Sequence, residues 1–159
     1  MFQEAYRPLT GLGIRLTDTV PQMQDFDKNV RTLLILDDKM TSVGPGIEDL
    51  FTKGSHHKNL TVMYLTQNLF FSAKQRTISL NSHYIILFKN VRDTGQITTL
   101  ARQISTGKQS YQHFMSAYLD ATSVPYGVLL VDLRPETPDK LRLRTGILPH
   151  VPTYVYTNR

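Results

Sequence analysis

Two adjacent carboxylates follow an apolar run in the first quarter of the chain. Leu33–Leu36 are aliphatic, and Asp37 and Asp38 come directly after them. Such a run predicts a buried strand, and open α/β sheets bind their ligands at the carboxyl ends of the strands. Two neighbouring carboxylates repel each other unless a cation or a proton relieves them, and Mg²⁺ prefers oxygen ligands. On these residues alone, the pattern fits either a strand that ends in a solvated acidic loop or a Mg²⁺ site.

Polar side chains also follow the next two apolar runs. Thr66, Gln67 and Asn68 come after Leu60–Leu65, and Lys89–Asp93 comes after Tyr84–Phe88. An amide at a strand end can orient a water or contact a phosphate, because it donates and accepts hydrogen bonds. The alternative for Thr66–Asn68 is a capped turn that leads into a helix. Acids, amides and basic residues at three successive strand ends favour one functional site.

The elements that must position these residues are five strands with helices between them. The first four apolar runs are nearly continuous, as in strands buried on both faces of a mainly parallel sheet. Helical spacing, with caps at Ser72, Asp93 and Thr106, predicts the intervening helices. The predicted strands are Thr32–Leu36, Leu60–Leu65, Tyr84–Phe88, Gly127–Leu133 and Leu141–Leu148. The helical spacing falls at 47–54, 97–104 and 111–118, and the Ser72 cap predicts a shorter helix before Asn81.

We therefore predict a single α/β domain in which helices flank a mainly parallel sheet. Residues 1–31 form a lead-in, residues 32–125 the alternating core, residues 126–148 a C-terminal β-hairpin and residues 149–159 a tail. In the second hairpin strand, Arg142 and Arg144 alternate with apolar residues. This alternation predicts the charged outer face of an edge strand, and a DNA contact is the alternative.

Composition narrows the choice of partners. The net charge of +5 favours an anionic partner, nucleic acid first, and the absence of Cys excludes disulfides and Cys-ligated zinc. No apolar run is long enough to span a bilayer, and the first residues lack the pattern of a secretory signal. We expect an intracellular protein without a membrane partner.

A basic stretch follows the first predicted helix. It contains Lys53, His56, His57 and Lys58. Such a stretch can bind the phosphate backbone of DNA without reading bases. Equally, it can be a solvated helix end whose cations complement the helix dipole.

Taken in order, these motifs resemble the DNA-packaging ATPases of Polinton-type elements and related large DNA viruses, which belong to the FtsK–HerA group of P-loop ATPases. The resemblance covers roughly residues 25–148. The segments that carry it are Leu33–Asp38, which has the Walker B pattern, Leu50–His57, Tyr64–Phe70, Arg76–Asn81, Phe88–Asp93 and Tyr126–Asp132.

The resemblance implies a role for each matching residue. Asp37 would hold Mg²⁺, Asp38 would polarise the attacking water, and Gln67 would sense the γ-phosphate of ATP, with Asn68 beside it. Arg92 would reach the nucleotide of a neighbouring subunit, with Arg76 as the second choice. The family also implies a homo-oligomeric ring, double-stranded DNA as substrate, viral capsid proteins as partners, and the nucleus or cytoplasm of a eukaryotic host, or the virion, as location.

The sequence departs from the family in one respect, because it contains no G-x-x-x-x-G-K-[ST] phosphate loop. In the family, that loop follows a strand central to the sheet. We therefore expect these 159 residues to bind ATP weakly and not to hydrolyse it by themselves. The alternative is a non-catalytic module, derived from such an ATPase, that binds DNA or motor subunits. A Mg²⁺-dependent nuclease using both aspartates is less favoured, since the further acids of a two-metal site are missing.

Overall fold

The computed structural model describes residues 13–37, 45–54, 59–70 and 72–157, apart from the side chains of Pro45 and Lys74. These residues form two compact units, one ending at Thr66 and the other beginning at Gln67. Each unit has its own sheet and its own apolar cluster. None of the described helices is long and apolar enough to cross a membrane.

The first unit contains a two-stranded parallel sheet. Strand β1 (Thr32–Asp37) pairs with strand β2 (Leu60–Leu65), and Thr32 lies opposite Leu60. The connection contains helix α1 (Pro45–Asp49), which continues as a π-helical turn over Leu50–Gly54. Leu50 and Leu60 pack with Phe26 of the lead-in to form a small core. This strand–helix–strand arrangement is the one that the apolar spacing predicts.

The second unit contains an antiparallel sheet whose strands lie in the order β3-β4-β5-β6. Its strands are β3 (Tyr84–Phe88), β4 (Val128–Asp132), β5 (Leu143–Thr145) and β6 (Tyr154–Val155). Its helices are α2 (Ala73–Leu80), α3 (Thr94–Ile104) and α4 (Lys108–Ala121), and 3₁₀ turns occur at Met23–Asp25 in the first unit and at Asp139–Leu141 in the second.

The main core of the protein lies between this sheet and helices α3 and α4. Ile85 and Leu87 of β3 pack against Leu100 of α3 and Phe114 of α4, and all four are buried. The side chains of Ser72 and Asp93 accept the N-terminal backbone bonds of α2 and α3, as predicted. Helix α4 instead begins at Lys108 behind Gly107, one residue after the predicted Thr106 cap.

The mixed α/β class and the C-terminal hairpin are confirmed, whereas the mainly parallel sheet is not. Among the described strands, only β1 and β2 pair in parallel. The continuous apolar runs suggested strands covered on both faces. In β3 the side chains instead alternate, so that Ile85 and Leu87 are buried while Ile86 and Phe88 are exposed. A continuous apolar run therefore indicated a strand here but not its direction.

The interpretation of Arg142 and Arg144 as an edge-strand face is wrong. Strand β5 pairs with β4 on one side and β6 on the other, so it is not an edge. It also begins later than predicted, because Leu141 belongs to a 3₁₀ turn. Both arginines bind acceptors of the hairpin. Arg142 donates to the backbone oxygens of Asp132 and Arg134, and Arg144 forms an ion pair with the Asp132 carboxylate.

Candidate functional site

Asp37 lies at the carboxyl end of the parallel sheet. Its register partner on β2 is Leu65, so both strands end at the same edge. Asp37 is exposed and is the last residue of β1. It shares a face with Ile35, Met63 and Leu65, whose side chains are also exposed. The first unit thus presents a carboxylate at the end of an uncovered apolar surface.

Asp38, the second acid of the pair, lies outside the described residues. Among those residues, no group of three or more His, Asp or Glu side chains comes close enough to hold a metal ion. Mg²⁺ is usually held by one or two carboxylates together with waters and substrate phosphates, rather than by a complete protein cage. A hard carboxylate such as Asp37 suits that mode of binding.

The segment after β2 forms a capped turn. The side-chain oxygen of Asn68 accepts a hydrogen bond from the backbone N–H of Phe70 at 2.9 Å, which is an Asx turn. The Ser72 hydroxyl then accepts from the N–H of Gln75 and starts α2. The capped turn that was the alternative for Thr66–Asn68 is therefore present at Asn68. Gln67 is exposed, and its side-chain amide makes no hydrogen bond within the described part of the chain.

Gln96 joins the loop after β2 to the start of α3. Its side-chain oxygen accepts from the N–H of Leu69 at 2.7 Å, and its amide nitrogen donates to Asp93 at 2.7 Å and to the carbonyl of Gln67 at 3.4 Å. In the sequence, Gln96 stands out only as the third residue after the predicted Asp93 cap. The structure shows that it also brings the Gln67 and Asp93 segments together.

Arg92 lies in the loop that precedes Asp93. Its backbone N–H and that of Asp93 both donate to the side-chain oxygen of Asn90, at 3.0 Å and 2.9 Å. The Arg92 side chain is exposed and forms no ion pair with the described residues. Gln67 and Arg92 therefore belong to two loops that meet at Gln96, within a single unit. Arg76, the second choice for the same role, lies exposed on α2.

Of the four basic residues named in this stretch, only Lys53 falls within the described residues. Lys53 pairs with Asp49 at 2.8 Å, one helical turn away, and both side chains are largely exposed. Part of its charge is therefore already balanced by a neighbour. His56, His57 and Lys58 lie outside the described residues.

The positive charge is concentrated in the second unit. Residues 67–159 contain 11 Lys and Arg against 5 Asp and Glu, a net charge of +6. Residues 1–66 contain 7 Lys and Arg against 8 Asp and Glu, a net charge of −1. Any anionic molecule is therefore attracted more strongly to the second unit than to the first.

A buried aspartate organises part of this charge. Asp132 is fully buried, and its carboxylate accepts two hydrogen bonds from Arg134 at 3.1 Å and 3.0 Å. The Arg134 hydrogen bonds, against the opposing effect of burial, lower the pKa of Asp132 from 3.8 to about 2. Arg134 also stacks on the Tyr84 ring at 5.1 Å. This cluster holds the hairpin against β3.

Two cavities in the second unit are lined by residues that were not singled out as site residues. One, of about 420 Å³, is lined by Arg102, Lys108 and Tyr111, among others. The other, of about 350 Å³, has Phe88 and Tyr126 in its lining. In the sequence, Tyr111 belongs to the helical spacing at 111–118, and Phe88 and Tyr126 begin longer motifs. Contact across distant loops leaves no spacing signal.

Comparison with known proteins assigns no family to the chain: no protein-family model matches it, and neither a curated protein nor a solved structure shows significant similarity to it.

Proposed function

We propose that this chain carries part of the core of a DNA-translocating ATPase of the packaging type. In this proposal, Asp37 binds Mg²⁺ and Asp38 polarises the attacking water. Gln67 contacts the γ-phosphate, and Arg92 reaches the nucleotide of a neighbouring subunit. The bound Mg²⁺–ATP supplies the reacting phosphoryl group, and the protein contributes positioning and charge stabilisation.

The observation that carries the proposal is the in-register parallel pairing of β1 with β2. It places Asp37 opposite Leu65, and the polar segment with Gln67 begins one residue after Leu65. Parallel strands direct their carboxyl ends to the same edge, where α/β proteins bind phosphates and metal ions. An acid and an amide at neighbouring strand ends have the chemistry needed to hold a metal and to orient a water.

The junction at Gln96 gives second support. The loops after β2 and β3 are fastened together by hydrogen bonds from Gln96 to Leu69 and Asp93. Fastening the two strand-end loops keeps Gln67 and Arg92 each in place, Gln67 for the nucleotide of its own subunit and Arg92 for that of the neighbouring subunit. Preorganised donors of this kind stabilise developing charge at little reorganisation cost.

The uncovered surfaces support the presence of a further strand in the complete motor core. In the described residues, β2 has one pairing partner and β3 lies at the end of its sheet. Parallel sheets occur almost only with both faces covered, and two strands alone are marginal in water. A parallel strand carrying the Gly-rich phosphate loop would pair with a free edge of the β1–β2 sheet. A mainly parallel sheet, completed by this strand, is therefore part of the proposal.

A non-catalytic module is the second candidate, and the charge distribution favours it. Residues 67–159 carry a net charge of +6, whereas the acids proposed for catalysis lie in the other unit. A basic unit can bind DNA without turning over ATP. This candidate predicts DNA binding that is indifferent to ATP and to both aspartates.

The deciding experiment measures phosphate release with Mg²⁺, ATP and duplex DNA. The chain alone is expected to show no measurable turnover. A fusion that supplies an N-terminal strand with a Gly-rich phosphate loop is expected to hydrolyse ATP. Asp38→Asn in that fusion should abolish turnover, because the water loses the carboxylate that polarises it.

Glu48→Gln is the matched control, since it removes another acid of the first unit outside the proposed site. The motor proposal is refuted if the fusion binds DNA but never hydrolyses ATP, an outcome that the non-catalytic module predicts. Turnover by the unmodified chain that disappears in its own Asp38→Asn variant would instead show that the phosphate loop is not required.

A further inference from the structure

Tyr126 occupies a backbone conformation that tyrosine rarely adopts. The turn Val124–Gly127 is closed by a hydrogen bond from Gly127 N–H to the Val124 carbonyl at 3.0 Å. Tyr126 is its third residue and has a φ of 60°, which is the left-handed region normally taken by glycine. The side chain is 94% exposed, so no packing within the protein compensates for this strain. Backbone strain that no internal contact offsets, at an exposed aromatic residue, points to an external ligand.

The turn has little freedom to relieve the strain. A Cβ at Gly127 would lie 2.3 Å from the backbone oxygen of Ala121, so that position must remain glycine. Thr122, just before the turn, is buried, and its hydroxyl donates to the Tyr118 carbonyl at 2.7 Å. Helix α4 therefore fixes the base of the turn and presents the Tyr126 ring to solvent.

A second exposed aromatic residue lies beside the turn. Phe88 ends β3, is 62% exposed and lines the same cavity of about 350 Å³ as Val124 and Tyr126. That volume is within the range of about 300–1,000 Å³ typical of ligand sites. The aromatic side chains of Phe88 and Tyr126, together with the apolar side chain of Val124, line a surface that suits a flat, stacking ligand.

Lys89 adds a positive charge to this surface. It lines the cavity and forms no ion pair with any described residue. The Tyr118 hydroxyl donates to the Phe88 carbonyl at 3.1 Å and accepts from the Asn90 N–H at 3.0 Å, so the backbone is held on both sides of Lys89. None of the cavity-lining residues is acidic. The cation is thus positioned for an anionic group next to the aromatic rings.

We propose that Phe88, Lys89 and Tyr126 form a binding site for single-stranded DNA, in which an unpaired base stacks on the aromatic side chains and a backbone phosphate contacts Lys89. Aromatic platforms beside a cation are the usual means of binding single strands without sequence preference. The net charge of +6 on residues 67–159 attracts such a strand. The site requires neither ATP nor the strand-end acids, so it stands independently of the proposed function.

The test is fluorescence anisotropy of a labelled oligothymidine of about 12 nucleotides, titrated with the full chain without ATP. Tyr126→Gly is the decisive variant, because it removes the ring and relieves the strained φ. Its dissociation constant is expected to rise by about 5- to 150-fold, the range that loss of one stacked base predicts. Tyr126→Phe should bind as the unmodified chain does. Lys89→Ala should reduce the salt slope by about 0.7.

Tyr154→Ala is the matched control, since Tyr154 is another exposed tyrosine but lies on β6, outside the cavity lining. It is expected to leave the affinity unchanged. Equal affinity of Tyr126→Gly and the unmodified chain would overturn the proposal. The proposal would also be overturned if the unmodified chain did not bind the oligothymidine. If light scattering then showed self-association that depends on Tyr126, the surface would be a protein contact instead.

Discussion

Replacing Asp132 by Asn tests how the charge cluster stabilises the second unit. Asp132 is 0% exposed, and its carboxylate is paired with Arg134 and Arg144. Breaking a buried ion pair typically costs about 3–5 kcal/mol. Asn keeps the shape and one acceptor oxygen, and the arginine side chains, 36% and 27% exposed, can regain water. We therefore expect a loss of about 2–3 kcal/mol and a Tm lower by roughly 5–10 °C.

The same variant predicts a pH dependence with a definite sign. The folded-state pKa of Asp132 is lowered from 3.8 to about 2, so the folded state binds its proton less readily than the unfolded state. The resulting stabilisation is fully present above about pH 4 and is lost as the pH falls through about 2. The difference in free energy of unfolding between the unmodified chain and Asp132→Asn should therefore narrow between pH 4 and pH 2.

Urea denaturation followed by circular dichroism measures both quantities. Asp139→Asn is the matched control, because Asp139 pairs with Arg142 from the same hairpin but its side chain is 95% exposed. It should change the free energy of unfolding by less than about 1 kcal/mol. The reasoning fails if Asp132→Asn changes it no more than the control does, or if the difference between the unmodified chain and Asp132→Asn stays constant down to pH 2.

Two further predictions concern Gln96 and Lys53. Gln96→Ala should accelerate hydrogen exchange at the Leu69 amide by about 5- to 30-fold, because that N–H loses its acceptor. Gln103→Ala, an exposed change on the same helix, should leave that exchange rate unchanged. Equal exchange rates in the two variants would show that Gln96 does not fasten the loop. Lys53→Ala should lower the free energy of unfolding by no more than about 0.5 kcal/mol in urea denaturation, because the Lys53–Asp49 pair is exposed. A loss above about 1 kcal/mol would mean that Lys53 makes a stronger contact than this ion pair.

Local sequence patterns were sufficient to predict the elements. The runs at Thr32–Leu36, Leu60–Leu65 and Tyr84–Phe88 all form strands with nearly the predicted bounds. The Ser72 and Asp93 caps also occur as predicted. These features depend on neighbours within one turn of helix or one strand, so the sequence contains the whole of the interaction that produces them.

Local sequence patterns did not determine whether a strand pairs in parallel or antiparallel. The residues of β3 form a continuous apolar run that suits a parallel strand, yet β3 pairs antiparallel with β4, more than 40 positions later. Such pairing depends on how the chain between the strands packs. Helices α3 and α4 bury the face of Ile85 and Leu87 and leave that of Ile86 and Phe88 exposed. A count of apolar residues is the same in either arrangement.

For the candidate site, the sequence by itself determined which chemistry each strand end carries: the acids at Asp37 and Asp38, the amide at Gln67 and the cation at Arg92. Only the tertiary structure decided that Gln96 fastens the loops before α3, and that Phe88 and Tyr126 line one cavity. The physical reason is the range of the interactions. Residue type and short spacing set local conformation, whereas contacts across 27 or more positions depend on the packing of the whole unit.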